Sequence, residues 1–343
     1  FYLLSVACVA SAWTQVATDS PSPQRQAFPK FKIDLDLSAE NRFKLPTAFF
    51  RDDIISTFKL FLENVPDKIV ALFDWLSWTW WIFQHEKYME LKGIADILQS
   101  DEIPLSRLVL VNTLYELEAW CTSIIARDAS GSVYHSRILD FDFADHLRNV
   151  TFEATFFKDG KYAFDAVMFG GTIGVYTGSF KGPDGFSISE NQRGDNKDKY
   201  GVAYNLLMTF TGFHEISWDI RQVLQKCDTY KCAHHHLTSD FISSFGYIII
   251  AGVNSNDGAI ISRDRFGVAH KDTLSDDVWF LVQTNNDHWD TGCRYRCKNA
   301  RLNMEALGSS NVTSSDLEEH VMLKYPNFNP GSIYLTNFMP ASQ

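Results

Sequence analysis

The sequence predicts an α+β fold in which antiparallel sheets stack face to face and helices cover them from outside. Three observations carry that reading. Between Arg51 and Trp120, apolar residues recur at spacings of three and four, the period of a helix with one buried face. From Cys121 onward, short apolar runs bounded by turn residues read as strands. Helical stretches then interrupt those strands, giving strands, helices and strands again, with no internal repeat.

The elements follow in order. Ile54, Ile55, Phe58, Phe61 and Leu62 mark a first helix, and Ile69, Leu72, Phe73, Leu76, Trp80 and Phe83 a second over Pro66 to Met89. Leu105 to Trp120 is a third, opened by Pro104. Strands are expected at Thr122–Ala126 and, after the turn Asp128-Ala129-Ser130-Gly131, at Val133–His135. Phe152–Phe157 and Tyr162–Met168 flank Lys158-Asp159-Gly160-Lys161, a hairpin signal. Tyr247–Ala251 and Ala259–Ser262 flank a second hairpin turn, and Val278–Thr284 is a further strand. Helices are expected at Tyr200–Gln225, Asp240–Ser244 and Lys298–Leu307.

With 343 residues, 45% hydrophobic and 21% charged, the chain has the material for a large core. Aromatics make up 14%, which favours an apolar interior or groove. A net charge of −11 argues against a nucleic-acid partner, because no basic excess exists to neutralise phosphates. No stretch after residue 20 has the run of uncharged apolar residues that a membrane span needs.

Phe1 to Ala12 is apolar and ends in Ala10-Ser11-Ala12, the form signal peptidase reads, so residues 1–17 are taken as a signal-peptide remnant. The sequons at Asn149 and Asn311 agree with secretion and are candidate glycosylation sites. Cys8 falls in the remnant. Cys227, Cys232, Cys293 and Cys297 form two close pairs, which in a secreted chain read as disulfides with three connectivities open. A zinc site helped by His234-His235-His236 is the weaker alternative, since successive histidines point in different directions and suit a solvated loop. No metal or cofactor is therefore expected. Trp75, Trp78, Trp80 and Trp81 point to several sides of one helix, so at least one should be exposed. They suit a lipid surface as well as they suit a core.

Cys121 is the odd cysteine, at the seam between the helical and strand-rich halves. On composition alone it is one more small buried hydrophobe. A nucleophile at such a seam is also what an N-terminal-nucleophile hydrolase requires. The chain cuts itself before the residue, and the freed α-amine, with a pKa of roughly 7.7–8.0, becomes its general base.

The run from Cys121 to Asp140 (C-T-S-I-I-A-R-D-A-S-G-S-V-Y-H-S-R-I-L-D) resembles the signature of the N-acylethanolamine acid amidase and acid ceramidase family, lysosomal cysteine amidases related to choloylglycine hydrolases. Phe31–Asp36, Phe169–Gly178, Phe186–Arg193, Ile261–Arg265 and Thr284–Trp289 resemble further family segments in the same order, so the likeness runs from about Phe31 to Thr336. It implies an αββα sandwich preceded by a helical α-chain, with a helical α-subunit over 18–120 and a catalytic β-subunit over 121–343 joined as a heterodimer after self-cleavage. It implies hydrolysis of fatty acid ethanolamides in the lysosome, or in a secreted form, with ceramide as the alternative substrate.

Carried over position by position, the resemblance makes Cys121 the nucleophile and Arg137 the cation that favours thiolate. Asp140 would hold the α-amine, and Asn285 would supply the oxyanion-hole amide. Arg296 matches a family arginine at shorter spacing, while Gln192, Glu190 and Trp289 are candidates for substrate binding. Three positions depart from the family pattern. Ser136 replaces a glycine, Ile138 an asparagine, and Gln192 a carboxylate that would balance a nearby arginine. Glu190, two residues away on the same strand face, is the nearest replacement for that charge. These departures raise the alternative of a catalytically impaired homologue that binds lipid without turning it over.

Overall fold

A computed structural model describes residues 27–114, 120–193 and 201–342. The signal remnant therefore lies outside the described residues, as do residues 115–119 of the expected third helix. In chain order the regular elements begin with β1 (Lys30–Asp34), α1 (Lys44–Phe49), α2 (Arg51–Leu62), α3 (Asp67–Leu76), α4 (Thr79–Phe83), α5 (His85–Leu98) and α6 (Leu105–Leu114). They continue with β2 (Trp120–Arg127), β3 (Val133–Asp140), α7 (Ala144–Asn149), β4 (Thr151–Lys158), β5 (Lys161–Phe169), β6 (Thr177–Phe180) and β7 (Phe186–Gln192). Next come α8 (Gly201–Phe210), α9 (Ile216–Lys226), α10 (Tyr230–Ser239), β8 (Gly246–Gly252), β9 (Gly258–Asp264), β10 (Gly267–Thr273) and β11 (Phe280–Gln283). The chain closes with α11 (His288–Thr291), α12 (Tyr295–Leu307), α13 (Ser314–Leu317) and β12 (Ser332–Phe338).

Two sheets form the centre. One runs β1-β4-β5-β6-β7-β8-β9-β10 and the other β11-β2-β3-β12. Every pairing is antiparallel except β1 with β4, which is parallel and builds the N-terminal segment into the large sheet. The stacked-sheet expectation holds. The two inner faces meet through Ile125, Val133, Tyr247, Ile249 and Leu281, all buried. The outer face of the small sheet packs Ile124, Ile138 and Val282 against Ala300 and Met304 of α12. The outer face of the large sheet packs Ile248 and Ile250 into the core that also takes Ile216, Ile220 and Leu237 from α9 and α10.

The Lys158-Asp159-Gly160-Lys161 turn closes β4 and β5 as read from sequence. Asp159 and Gly160 have φ of 52° and 68°, the left-handed pair that matches strand twist in a two-residue turn. Other expectations need correction. The stretch Pro66–Met89 is three short helices, not one, because the chain turns at Ser77-Trp78 and again at Gln84, which is drawn inward by bonds to Thr209 and Lys87. Tyr200–Gln225 is likewise split, at Thr211–Glu215. Trp120 opens β2 and is not the end of a helix. Asp240–Ser244 is not helical: Ile242 makes a parallel bridge to His214 instead. His234–His236 belongs to α10, capped by the Thr229 side chain, and not to a loop. The disulfides form within each close pair, Cys227 with Cys232 and Cys293 with Cys297, and Cys121 is the free cysteine.

Candidate active site

Strand alternation decides which side chains of β2 and β3 reach the space between the sheets. Cys121 pairs with Leu139, Ser123 with Arg137 and Ile125 with His135, so these six share the inner face. Ser123 bonds to Asn191 at 2.8 Å, and His135 meets Ser187 and Ser189 at 2.9 Å each, which ties β2 and β3 to β7. Burial beside Arg137 pushes the His135 imidazole down to about 3, so it stays neutral as a strut between sheets.

Cys121 is fully buried. Arg137 Nη2 donates to its Sγ at 3.2 Å and to the carbonyl of Glu190 at 2.7 Å, while Nη1 donates to Thr177 and Tyr334. Burial raises the thiol pKa, and the Arg137 guanidinium acts in the opposite direction. The backbone N–H of Cys121 donates to Asn285 Oδ1 at 2.8 Å. Arg296 Nη2 donates to the same oxygen at 2.7 Å, and Arg296 Nη1 to the Cys121 carbonyl at 2.9 Å. The Cys293–Cys297 disulfide ties the first turn of α12, which carries Arg296, to the residues before it.

Asp140 joins the group from the outer face of β3. It lies 3.4 Å from Arg296 and accepts from Ser332 at 2.6 Å and Asn329 at 2.9 Å. Burial raises its pKa, against the pull of Arg296. The other four residues assigned to catalysis from the sequence thus converge on Cys121 directly or through one partner. Of those assigned to substrate binding, Gln192 and Glu190 reach the cluster through backbone carbonyls, and Trp289 packs elsewhere. Gln192 meets the cluster through its carbonyl, which accepts from Asn285 Nδ2 at 2.8 Å. Glu190 also contributes its carbonyl, and alternation turns its side chain to the face of β7 opposite Ser189 and Asn191. Trp289 stacks on His270 with ring centroids 4.3 Å apart, beneath the Arg193 guanidinium.

The departures from the family pattern find their own partners. Ser136 and Ile138 alternate away from the thiol, Ser136 bonding to Asn337 and Ile138 packing in the core beneath α12. Arg193, next to the neutral Gln192, is balanced by Asp287 at 2.7 Å and Asp264 at 2.7 Å. Thr177, Tyr334, Asn329 and Ser332 are site residues that sequence reasoning missed. Thr177 sits inside a segment already resembling the family, and the β-rich run Ser332–Phe338 was the signal for a strand that delivers Tyr334. Asn149 and Asn311 are both exposed.

A two-sheet sandwich with helices outside, and a cysteine leading an inner-face strand, is the architecture of the N-terminal-nucleophile hydrolases. The comparisons with known proteins narrow this. No protein-family model matches the chain. It is 31% identical to the N-acylethanolamine-hydrolyzing acid amidase of Rattus norvegicus over 316 residues, 90% of this chain and 84% of the relative. It is 30% identical to the acid ceramidase of Balaenoptera acutorostrata scammoni over 324 residues, 84% of this chain and 80% of the relative. The solved structure of a Caenorhabditis elegans N-acylethanolamine-hydrolyzing acid amidase ortholog matches with a TM-score of 0.59 at 31% identity, covering 64% of this chain and 93% of that one. The chain belongs to the family of N-acylethanolamine-hydrolyzing acid amidases and acid ceramidases.

Proposed function

We propose that this chain is a cysteine amidase that hydrolyses the amide bond of fatty acid ethanolamides after cutting itself between Trp120 and Cys121. The observation that carries the reading is the Arg137 guanidinium on the Cys121 sulfur, in a chain whose relatives are amidases. In self-cleavage the thiol attacks the Trp120 carbonyl, the peptide nitrogen leaves as the Cys121 α-amine, and water hydrolyses the thioester. That amine then serves as base.

In turnover the α-amine takes the thiol proton and the sulfur attacks the amide carbon. The tetrahedral oxyanion is met by the donors around Asn285 and Arg296. The ethanolamine leaves with the proton, and water releases the fatty acid and restores the thiol. Cys121 is fully buried in the uncut chain. Ceramide is the second substrate class, in line with the acid ceramidase relatives.

The two chains, 18–120 and 121–343, would stay together as a heterodimer. The β1–β4 pairing and the buried ion pair of Glu90 with Arg221 both cross the junction. Among the described residues no helix is long and apolar enough to cross a membrane. The exposed Trp75, Trp78 and Trp81, beside Ile82 and Phe83, instead suit contact with a lipid surface in the lysosome, reached by the secretory route.

Mass spectrometry after exposure to acid, combined with a fluorogenic fatty-amide assay, tests the proposal. A new chain beginning at Cys121 and measurable hydrolysis are expected, both abolished in Cys121→Ala. An intact chain with no hydrolysis would overturn the proposal and leave a lipid-binding relative.

A further inference from the structure

A second cluster of chemistry-bearing side chains lies on the edge of the large sheet. His270 and Asp272 are two apart on β10 and therefore share a face. His288, at the start of α11, comes up to meet them. His270 Nε2 is 3.3 Å from Asp272 Oδ1, and His288 Nε2 is 3.1 Å from Asp272 Oδ2. One donor atom from each residue lies within 4.8 Å of the other two.

Two features set this cluster apart from an ordinary ion pair. Asp272 divides its carboxylate between the two imidazoles, Oδ1 towards His270 and Oδ2 towards His288, and His288 Nδ1 is buried without a hydrogen-bond partner among the described residues. The His270 ring is also held flat, stacked on Trp289 at an interplanar angle of 17°. Ligand atoms bonded at about 2.0–2.2 Å to a tetrahedral zinc lie roughly 3.3–3.6 Å from one another. The measured separations run to the two different Asp272 oxygens, so the three donor atoms, all within 4.8 Å of one another, gather on one ion by a small rotation of side chains.

We propose that His270, Asp272 and His288 form a site for a divalent transition metal of the zinc class, with water completing the coordination. Two imidazole nitrogens with one carboxylate favour such a metal over calcium or magnesium, which take oxygen ligands. The other candidate group, Cys227, Cys232 and His236, is spoiled as a thiolate site by its disulfide. A metal here would pin the edge strand β10 to the turn that runs from Asn285 to Trp289. The site is independent of the hydrolase reading, because none of its residues touches the thiol cluster.

The test uses the full chain at neutral pH with zinc, and with cobalt as a spectroscopic stand-in. One bound ion per chain is expected, with a cobalt absorption typical of nitrogen ligands and a thermal midpoint that rises with zinc concentration. His270→Ala and Asp272→Asn should each weaken binding at least about tenfold, the loss that even outer-shell partners cause. In the unaltered protein, zinc should shield His270 and His288, but not His234 to His236, from diethyl pyrocarbonate, as read by mass spectrometry. This reading stands even if a variant fails to fold. No binding, unchanged affinity in both variants, or shielding confined to His234–His236 would overturn the proposal.

Discussion

Arg137 Nη2 lies 3.2 Å from Cys121 Sγ, and the guanidinium that makes this contact is held from other sides by Thr177, Tyr334 and the Glu190 carbonyl. Burial holds the thiol pKa up, and Arg137 is the stronger of the two cations that oppose it, ahead of Arg296. The four partners of Arg137 need the planar fork of an arginine, which a lysine cannot reproduce. Arg137→Lys should therefore raise the thiol pKa and lower kcat/KM by about 10²-fold or more. Iodoacetamide labelling rates against pH check the first effect and turnover the second; an unchanged labelling profile would remove Arg137 from thiol activation.

Asn285 joins three pieces of the site, because its amide oxygen takes bonds from the Cys121 nitrogen and Arg296 while its amide nitrogen bonds to Gln192. Asn285→Ala should leave the Cys121 nitrogen unplaced and lower both self-cleavage and turnover by roughly 10²–10³-fold. Arg296→Ala should act in the same direction but more weakly on cleavage, since it holds the Cys121 carbonyl and not the nitrogen. Time courses of chain cleavage and hydrolysis separate the two effects; full-rate cleavage in Asn285→Ala would count against the assignment.

The candidate catalytic cluster was legible in the sequence through its resemblance to short family motifs, since on composition alone Cys121 reads as one more buried hydrophobe. Cys121 and Arg137 face inward together once β2 and β3 pair, and that pairing follows from the turn Asp128–Gly131. Arg296 was assigned by matching a family arginine at shorter spacing, and the structure places it in the first turn of α12 beside the Cys293–Cys297 disulfide. What escaped notice depends on distant pairings. Tyr334 reaches Arg137 only because β12 adds to β3 across nearly two hundred residues, and nothing in the Asn329–Ser332 turn announces Asp140 as its partner. The apolar period also ran through Ser77-Trp78 and Gln84 without a Pro or Gly to mark the breaks, so three helices read as one.

Trp80 and its neighbours divide as the helix geometry demands. Trp80 is fully buried beneath Lys87, whose ammonium sits 4.2 Å from its ring, while Trp75, Trp78 and Trp81 remain exposed. Trp75→Ala/Trp78→Ala/Trp81→Ala should reduce binding to anionic vesicles several-fold, leaving hydrolysis of a soluble fluorogenic amide near its original rate. Flotation with liposomes reads the first. Unchanged flotation would show that these indoles serve another partner.

Glu90 carries two arginines. It binds Arg221 through both carboxylate oxygens at 2.6 Å in the buried join between α5 and α9, and Arg42, from the segment before α1, at 2.8 Å. Glu90→Ala would strand Arg221 in the core without its counter-charge, a loss of about 3–5 kcal/mol. The expected result is a lower thermal midpoint and, after cleavage, easier separation of the two chains on a sizing column in mild denaturant. A midpoint within a degree of the parent would contradict the assigned weight of this pair.

Asp219 gives the stability of the protein a pH dependence whose sign follows from its burial. Desolvation on α9, reinforced by Asp240 and opposed by Arg263, Lys226 and His236, pushes its carboxyl up to about 7. In the unfolded chain it ionises near its ordinary value of about 3.9. The folded state thus binds the extra proton between those values, and stability from this residue is full below about pH 4 and lost as pH rises towards 7. Buried His135, held down to about 3, and His214, held down to about 4, tilt the other way, losing stability as pH falls below about 6.5. Asp219→Asn removes one slope and leaves the other. Its melting midpoint should exceed the parent's by several degrees at pH 7.5, the gain shrinking to nothing near pH 4. A gain that persists unchanged at pH 4 would mean that Asp219 is not the protonated, buried acid its surroundings require.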